Sequence, residues 1–255
     1  MAAQEHPVFL MPRDRGAKLW RYMDFDKFCW MLRYKALYFR RSDLFKDPLE
    51  GHFSKANDFA EDFFVEQQIK NGGFGAPDET SEDDLRVGYR KMLSVAAEDR
   101  KHLFVNCWHM NDTESLEMWN EYANHNEAVC VQTSFKSLWD LLPNDCFLGG
   151  VRYIDHHSSI MDVTMSLYPI AHKDMQYARE REVRAVVWEH ADTRARFQPS
   201  GDDALFVSLD LSALIETVYL HPNASSSHAT IIRDLVASNN IKAPVKYSGV
   251  RNSKP

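Results

Sequence analysis

The sequence predicts an α+β fold: a single domain with a mixed or split β-sheet flanked by helices. Three observations carry that expectation. Short β-branched and aromatic runs are interspersed with helical patterns in the order strand–helix–strand, two helices, strand–helix–strand, then a strand-rich end. A regular alternation of one helix per strand is missing, which argues against a doubly wound parallel sheet. No GxGxxG, GxxxxGK or GxSxG occurs, so dinucleotide-loop, phosphate-loop and hydrolase-elbow architectures have no local support.

The elements follow in order. Residues 1–16 have no periodic pattern and read as a loose N-terminal segment. "KLWRYM" (Lys18–Met23) reads as a strand. "DFDKFCWMLRY" reads as a helix, with Asp24 or Asp26 as N-cap and Phe25, Phe28, Trp30, Met31 and Leu32 supplying its apolar face. "ALYFRRS" is a second strand, and Pro48 and Gly51 make "DLFKDPLEG" a loop. A helix is expected from Ala56 to about Lys70. Residues 71–84, glycine-rich and then acidic, read as a flexible surface loop before a helix at roughly Asp83 to Glu98.

"HLFVNCWHM" then reads as a strand. "SLEMWNEYA" is a helix with Leu116, Trp119 and Tyr122 or Ala123 on one side. "EAVCVQTS" is a strand, "FKSLWDLL" a short helix stopped by Pro143, and "GGVRYID" the start of a strand. A mixed helix is expected around Ser158–Lys173. Strands follow at "VRAVVW", "ALFVSLDL" and "IETVYLHP". A serine-capped helix over "SSSHATIIRDLVASNN" has Ile231, Ile232, Leu235 and Val236 as its stripe, and "APVKYSGV" closes as a strand.

At 255 residues the chain can bury one large core, so 1–255 is taken as a single domain. Apolar residues make up 44% and charged residues 26%, the profile of an ordinary globular protein. A formal net charge of −7 disfavours dedicated binding of duplex DNA but not local contact with a nucleotide. No apolar run approaches the ~18 residues of a membrane span, and the start lacks the charged head and apolar core of a signal peptide. Cys29, Cys107, Cys130 and Cys146 are widely spaced with no CxxC pair, which reads as reduced thiols in a cytoplasmic protein.

The chemistry concentrates in "MQYAREREVRAVVW" (Met175–Trp188). On a strand, Glu180 and Glu182 would share one face and raise each other's pKa unless a cation lies between them. On a helix they would form a solvated charged end with the neighbouring arginines. Arg184 can compensate Glu182 along one strand face, and Arg21 can compensate it across a site. Arg21, among Trp20, Tyr22 and Met23, is either an edge residue or a clamp for an anion, because guanidinium grips two oxygens at once. Tyr38, Phe39 and Arg40 are either core or a platform for a flat ring. Asp47, before Pro48, is expected to make an Asx-type turn. A metal site has little support: His109 and His125 are far apart in sequence, His156 and His157 are adjacent, and HExxH is absent.

"LWRYM", "ALYFRRSDLFKDPLEG", "CWHMNDTESLEMWNEYANHNEAVCVQ", "REREVRAVVW" and "VYLHPNASS…VKYSGV" together resemble the bacterial domain-of-unknown-function family number 2971, over most of Lys18–Val250. Lys46 and Leu49 stand where that family usually has Asn and Phe. The chain also resembles the ADP-ribosyltransferases, which pair a split sheet with a first-strand Arg or His, an aromatic second strand and a late strand opening with Glu-x-Glu. That resemblance implies NAD as substrate and cleavage of its nicotinamide–ribose bond. Glu182, with Glu180, would be the catalytic carboxylate; Arg21 and Tyr22 would bind the ribose or phosphate; Tyr38, Phe39 and Arg40 would lie near the nicotinamide. It further implies a protein or nucleic-acid target and the role of a toxin or phage-defence effector. Two alternatives stand beside it: a non-catalytic module that binds a nucleotide or a partner, and a metal-dependent hydrolase or nuclease built on Asp47, Glu50, Glu180 and Glu182.

Overall fold

The computed structural model describes residues 2–71, 80–123, 125–189, 197–199, 201 and 203–250. The fold is α+β on a mixed, branched sheet. Two compact units compose it: Met1–Arg40 with Phe104–Gly150 and Glu180–Pro255, and Arg41–Leu103 with Val151–Arg179.

In the first unit the strands are β1 (Lys18–Met23), β2 (Ala36–Arg41), β3 (Leu103–Met110), β4 (Val129–Ser134) and β5 (Cys146–Gly150). The second unit carries β6 (Arg152–Ile154) and β7 (His172–Asp174), a parallel pair. The first unit resumes with β8 (Glu182–Trp188), β9 (Gln198–Pro199), β10 (Ala204–Ser208), β11 (Thr217–Leu220) and β12 (Val245–Tyr247). The helices are α1 (Phe25–Tyr34), α2 (Glu61–Asn71), α3 (Glu82–Asp99), α4 (Leu116–Tyr122), α5 (Phe135–Leu141), α6 (Leu211–Leu214) and α7 (Ser226–Ser238).

The main sheet runs β12-β11-β4-β1-β3-β2-β10-β9. It branches at β3, which also pairs with β8, and β8 in turn pairs with β5. Only β11–β12 is parallel among the registered pairs of this sheet.

Strand alternation divides the side chains between two faces. Leu19 and Met23 of β1, Val129 and Val131 of β4, Leu37 and Phe39 of β2 and Val183, Ala185 and Val187 of β8 share one core. Phe28, Met31 and Leu32 of α1, Phe135 and Leu138 of α5 and Ile232 and Val236 of α7 cover that face. Trp20 and Tyr22 of β1 and Cys130 of β4 turn to the opposite face, where Met118 and Trp119 of α4 cover them. The helix starts carry the serines expected of caps: Ser115, Ser134 and Ser225 each accept a backbone N–H of the first turn.

In the second unit α2 and α3 pack around Ala60, Tyr89 and Val163. Ser81 and Asp84 form a reciprocal capping box at the start of α3. Asn57 binds the loop at Met161 through both its amide groups, and Tyr89 donates to the Asn57 carbonyl.

Three expectations change. Of the segment 1–16, expected to be loose, the described residues 2–16 are held: Gln4 bridges Phe147, Leu10 bridges Gly150, and Ala3, Val8 and Phe9 are buried. This segment lies along β5 and satisfies backbone groups of that strand, with Leu10 N donating to Gly150 O at 2.9 Å and Gly150 N returning to Leu10 O at 2.7 Å. The expected helix at Ser158–Lys173 is instead a run of turns ending in a 3₁₀ turn (Pro169–Ala171) and β7, since Pro169 cannot donate to a helical ladder. Of the expected loop at 71–84, residues 72–79 lie outside the described residues, Asn71 ends α2 and Glu82 begins α3.

The N-terminal segment needs Gly149. A Cβ there would stand 2.5 Å from the Phe9 Cβ and 3.2 Å from the Leu10 carbonyl. Gly149→Ala is therefore expected to lower stability by ~1–3 kcal/mol through overpacking. Gly88→Ala, in α3 with nothing near its Cβ position, should instead be neutral or stabilising by up to ~1 kcal/mol. Urea unfolding of both variants checks this, and a neutral Gly149→Ala would refute the tight seat.

Candidate active site

The two glutamates of the Glu-x-Glu stretch occupy different backbone environments. Met175–Glu180 is a 3₁₀ helix and Glu182 opens β8. Between them Arg181 sits at φ 41°, in the left-handed region that a non-glycine residue rarely adopts. The bend is pinned from two sides: Met110 N donates to the Arg181 carbonyl at 3.0 Å, and Arg181 Nη1 donates to Asn111 Oδ1 at 3.0 Å. Glu180 and Glu182 thus do not share a strand face as consecutive same-side residues.

Glu182 is buried, and Arg184, fully buried, grips it with both arms of its guanidinium. Nε donates to Oε1 at 2.8 Å and Nη2 to Oε2 at 3.1 Å. Glu182 and Arg184 share a strand face by the two-residue period, so the compensation runs along the strand. A bidentate pair of this kind suits a site where both ions have left water.

Glu180 is also buried, and the Tyr122 hydroxyl donates to its Oε1 at 2.9 Å. Its backbone carbonyl accepts from His109 Nδ1 at 2.5 Å. A carbonyl can only accept, so this contact fixes the proton on Nδ1 and leaves the His109 lone pair on Nε2. Nε2 is buried and has no hydrogen-bond partner among the described residues. A buried acceptor left so costs ~1–3 kcal/mol. Burial holds the His109 pKa below its ordinary value; Arg181 lowers it further, while the Glu180 carbonyl and Glu117 pull it upward. Tyr22 completes the group. Its ring lies 6.3 Å from the His109 ring, its hydroxyl accepts from Ser115 N at 2.8 Å, and burial drives its pKa far up, so it stays protonated.

Three elements thus assemble the cluster: β1 supplies Tyr22, β3 and the residue after it supply His109 and Asn111, and α4 supplies Tyr122. The chain entering β8 supplies Glu180 and Arg181. Tyr122 is 44% exposed, so the cluster opens to solvent there. The chemistry available is a buried carboxyl group with a phenol donor, a buried imidazole whose Nδ1 is committed to a carbonyl, and an exposed guanidinium at the rim.

Of the residues expected from sequence, Glu180 and Tyr22 join this cluster and Glu182 lies next to it in the Arg184 pair. Arg21 does not join it. It alternates with Trp20 and Tyr22, so it faces the other side of the sheet, where its guanidinium donates to the Cys107 carbonyl at 2.8 Å and stacks 5.8 Å from Trp108. Nor is its strand adjacent to β8, which pairs with β3 and β5. Phe39 is wholly buried in the core on that same face, as aromatic strand residues commonly are. Tyr38 packs against Phe206 at 5.8 Å, and Arg40 is exposed. Asp47 makes the expected Asx turn, accepting from Leu49 N at 3.0 Å. Glu50, buried in the second unit, faces Lys173 at 3.8 Å. His125 and His157 are exposed and His156 is buried. Among the described residues no group of three or more His, Cys, Asp or Glu side chains stands together as metal ligands.

Sequence reasoning weighed His109 only as a metal ligand and Tyr122 only as a packing residue of its helix. A histidine inside an apolar strand and a tyrosine on the expected inner stripe of a helix were the visible signals. Of the expected stripe, Trp119 and Ala123 are buried, with Met118 beside them, and Tyr122 is left at the rim.

No protein-family model and no curated protein sequence matches this chain. No helix among the described residues is long and apolar enough to cross a membrane.

Breaking the ion pair of β8 from one side strands a buried charge. Arg184→Met is expected to cost ~3–5 kcal/mol, and pairing it with Glu182→Gln should recover part of that loss; equal destabilisation by the single and double variants in chemical unfolding would contradict the pairing. The histidines give a second expectation. Burial lowers the pKa of His6, His52, His109, His156 and His221 below the ordinary 6.5. The folded chain therefore binds fewer protons than the unfolded chain as pH drops through 6.5. Stability should be highest above that value and fall from pH ~7.5 to ~5.5, before the carboxylates begin to titrate. Denaturation midpoints across that window test it, and a flat or rising profile toward acid would refute it.

Proposed function

We propose that the chain is an ADP-ribosyltransferase-like enzyme that cleaves NAD at the nicotinamide–ribose bond, with Glu180 as the carboxylate facing the reacting ribose. The observation that carries this reading is the buried Glu180 carboxylate held by the neutral Tyr122 hydroxyl beside a histidine of fixed tautomer. Departure of nicotinamide leaves positive charge at the ribose C1′, and an anion fixed nearby stabilises that charge more in the transition state than in the ground state. Glu182 is gripped along its own strand by Arg184.

The exposed Arg181 has N–H groups beyond its Asn111 contact to offer a phosphate of NAD. The left-handed Arg181 supports the same reading, since backbone strain persists where the surroundings over-determine it, commonly at sites of chemistry. The resemblance of the Glu-x-Glu stretch to that of the transferases, and through it a toxin or phage-defence role acting on a protein or nucleic-acid target, belongs to the same reading.

One observation favours a second reading, a non-catalytic module that binds a nucleotide. The Glu182–Arg184 pair shows that at least one glutamate of the motif is engaged structurally.

Nicotinamide release from NAD by the wild-type protein, Glu180→Gln and Tyr122→Phe separates the two. Glu180→Gln is expected to reduce turnover by ~10²–10³-fold and Tyr122→Phe by less, with the fold intact by circular dichroism. Absence of both turnover and an NAD-dependent thermal shift in the wild type would sink the transferase reading.

A further inference from the structure

We infer that the outer face of α1, with the β2–β10 face beside it, is a docking surface for a single-stranded nucleic acid. Bases of the strand stack on Trp30 and Tyr34, and its phosphates meet Arg33, Lys35 and Arg40. None of these residues belongs to the Glu180 cluster, so the surface does not depend on NAD cleavage.

Helix period builds the surface. Phe28, Met31 and Leu32 turn α1 to the core, which leaves Trp30, Arg33 and Tyr34, spaced three and four residues apart, on its outer side. Trp30 is 53% exposed and Tyr34 43% exposed. Trp30 makes no ring contact among the described residues, so its indole face is open. Tyr34 is held in place: its ring stacks on Phe206 of β10 at 4.5 Å and 22°, and the Arg33 guanidinium lies over it, 5.7 Å from the centroid. Phe206 in turn packs edge-on against Tyr38, its register partner on β2, at 5.8 Å. Arg40, two residues beyond Tyr38, shares that strand face and is exposed. A row of rings thus runs from α1 onto β2, with an arginine at each end.

The charge of the surface is cationic. The acidic residues of α1 stand at its start, Asp24 and Asp26, where Lys27 pairs with Asp24 at 2.9 Å. Arg33, Lys35 and Arg40 have no carboxylate within ion-pair distance among the described residues. The whole chain carries a formal −7, so three unpaired cations beside open rings do not follow from a basic composition. The occupant that fits is flat-faced and anionic. A single strand is both: its unpaired bases offer their π-faces and its backbone repeats a phosphate. A duplex keeps its base faces stacked inside. An anionic membrane matches the charge but needs a broad apolar face, and the apolar residues of α1 face inward.

The test is fluorescence anisotropy of labelled oligothymidine and oligouridine, each of about twelve nucleotides, within the ~4–16 that single-strand modules cover, titrated with the full chain. Binding of either supports the surface. The log affinity is expected to fall with log salt at a slope of about −2, as three phosphate contacts give, and a duplex of the same length should bind more weakly. Trp30→Ala should weaken binding ~5–100-fold. Arg33→Glu with Lys35→Glu should weaken it and flatten the slope toward about −0.7. These side chains are exposed, so the variants should keep the wild-type melting temperature. Phe59→Ala, which removes a ring 88% exposed in the second unit, should leave binding unchanged. No binding by the wild type at about 100 μM, the weak end of non-specific association, would overturn the surface. So would equal binding of the duplex, or undiminished binding by folded Trp30→Ala. Trp30-dependent binding of vesicles of phosphatidylserine and phosphatidylcholine, without binding of either oligonucleotide, would overturn it in favour of a membrane. Nicotinamide release from NAD is a separate readout, so failure of either reading leaves the other standing.

Discussion

The constraint on which this site depends is the buried pair of Glu182 and Arg184. Arg184 is fully buried, and a guanidinium cannot shed its charge to escape that environment. It must have a carboxylate within reach, and the first residue of its own strand supplies one. The pair does not by itself make the protein more stable than an apolar strand would be, because removing two ions from water offsets most of what their attraction returns. It does fix the register of the start of β8, since a one-residue slip would carry both charges to the opposite, apolar face among Val183, Ala185 and Val187. Once Glu182 is held at that point, the chain before it has little freedom. Arg181 must carry the turn from 3₁₀ helix to strand, and the hydrogen bonds from Met110 and to Asn111 close around it.

That bend decides the chemistry. Had β8 continued back to residue 180, the two-residue period would have put Glu180 and Glu182 side by side, each raising the pKa of the other. The left-handed residue rotates Glu180 away toward Tyr122 and presents its carbonyl to His109. One glutamate becomes the counterion of the strand and the other a buried acceptor for the Tyr122 hydroxyl. Asymmetry of this kind, in which like groups receive unlike environments, is how a fold assigns different tasks to residues of the same type.

Much of the architecture was legible in the sequence, and the exceptions have physical causes. The β1–α1–β2 run, β3, β4 and α7 carry strong periodicity and serine or aspartate starts, and they form where expected. The N-terminal segment was illegible because it joins the sheet through single bridges at Gln4 and Leu10, which impose no repeating pattern on the residues between them. The stretch before β7 has apolar residues, but Ile160 and Met165 are exposed and its backbone closes by turns, so its composition misleads about its period. The glutamate pair was visible as a question. Its answer depended on the φ of Arg181, which no propensity scale predicts for an arginine.

His109 shows most clearly where sequence pattern ends. A histidine in an apolar strand is commonly a satisfied core residue, and nothing local distinguishes this one. Its tautomer is set by a carbonyl 71 residues away, and its vacant nitrogen follows from that contact. The same carbonyl belongs to the glutamate that the bend at Arg181 has turned out of the strand. The counterion of β8, the strained arginine, the displaced carboxylate and the oriented imidazole are therefore consequences of one another, propagating over a few bonds from the need to neutralise Arg184. A substitution that frees Arg184 would be felt first as lost stability and then, through Arg181 and the Glu180 carbonyl, as a histidine that no longer keeps its lone pair in place.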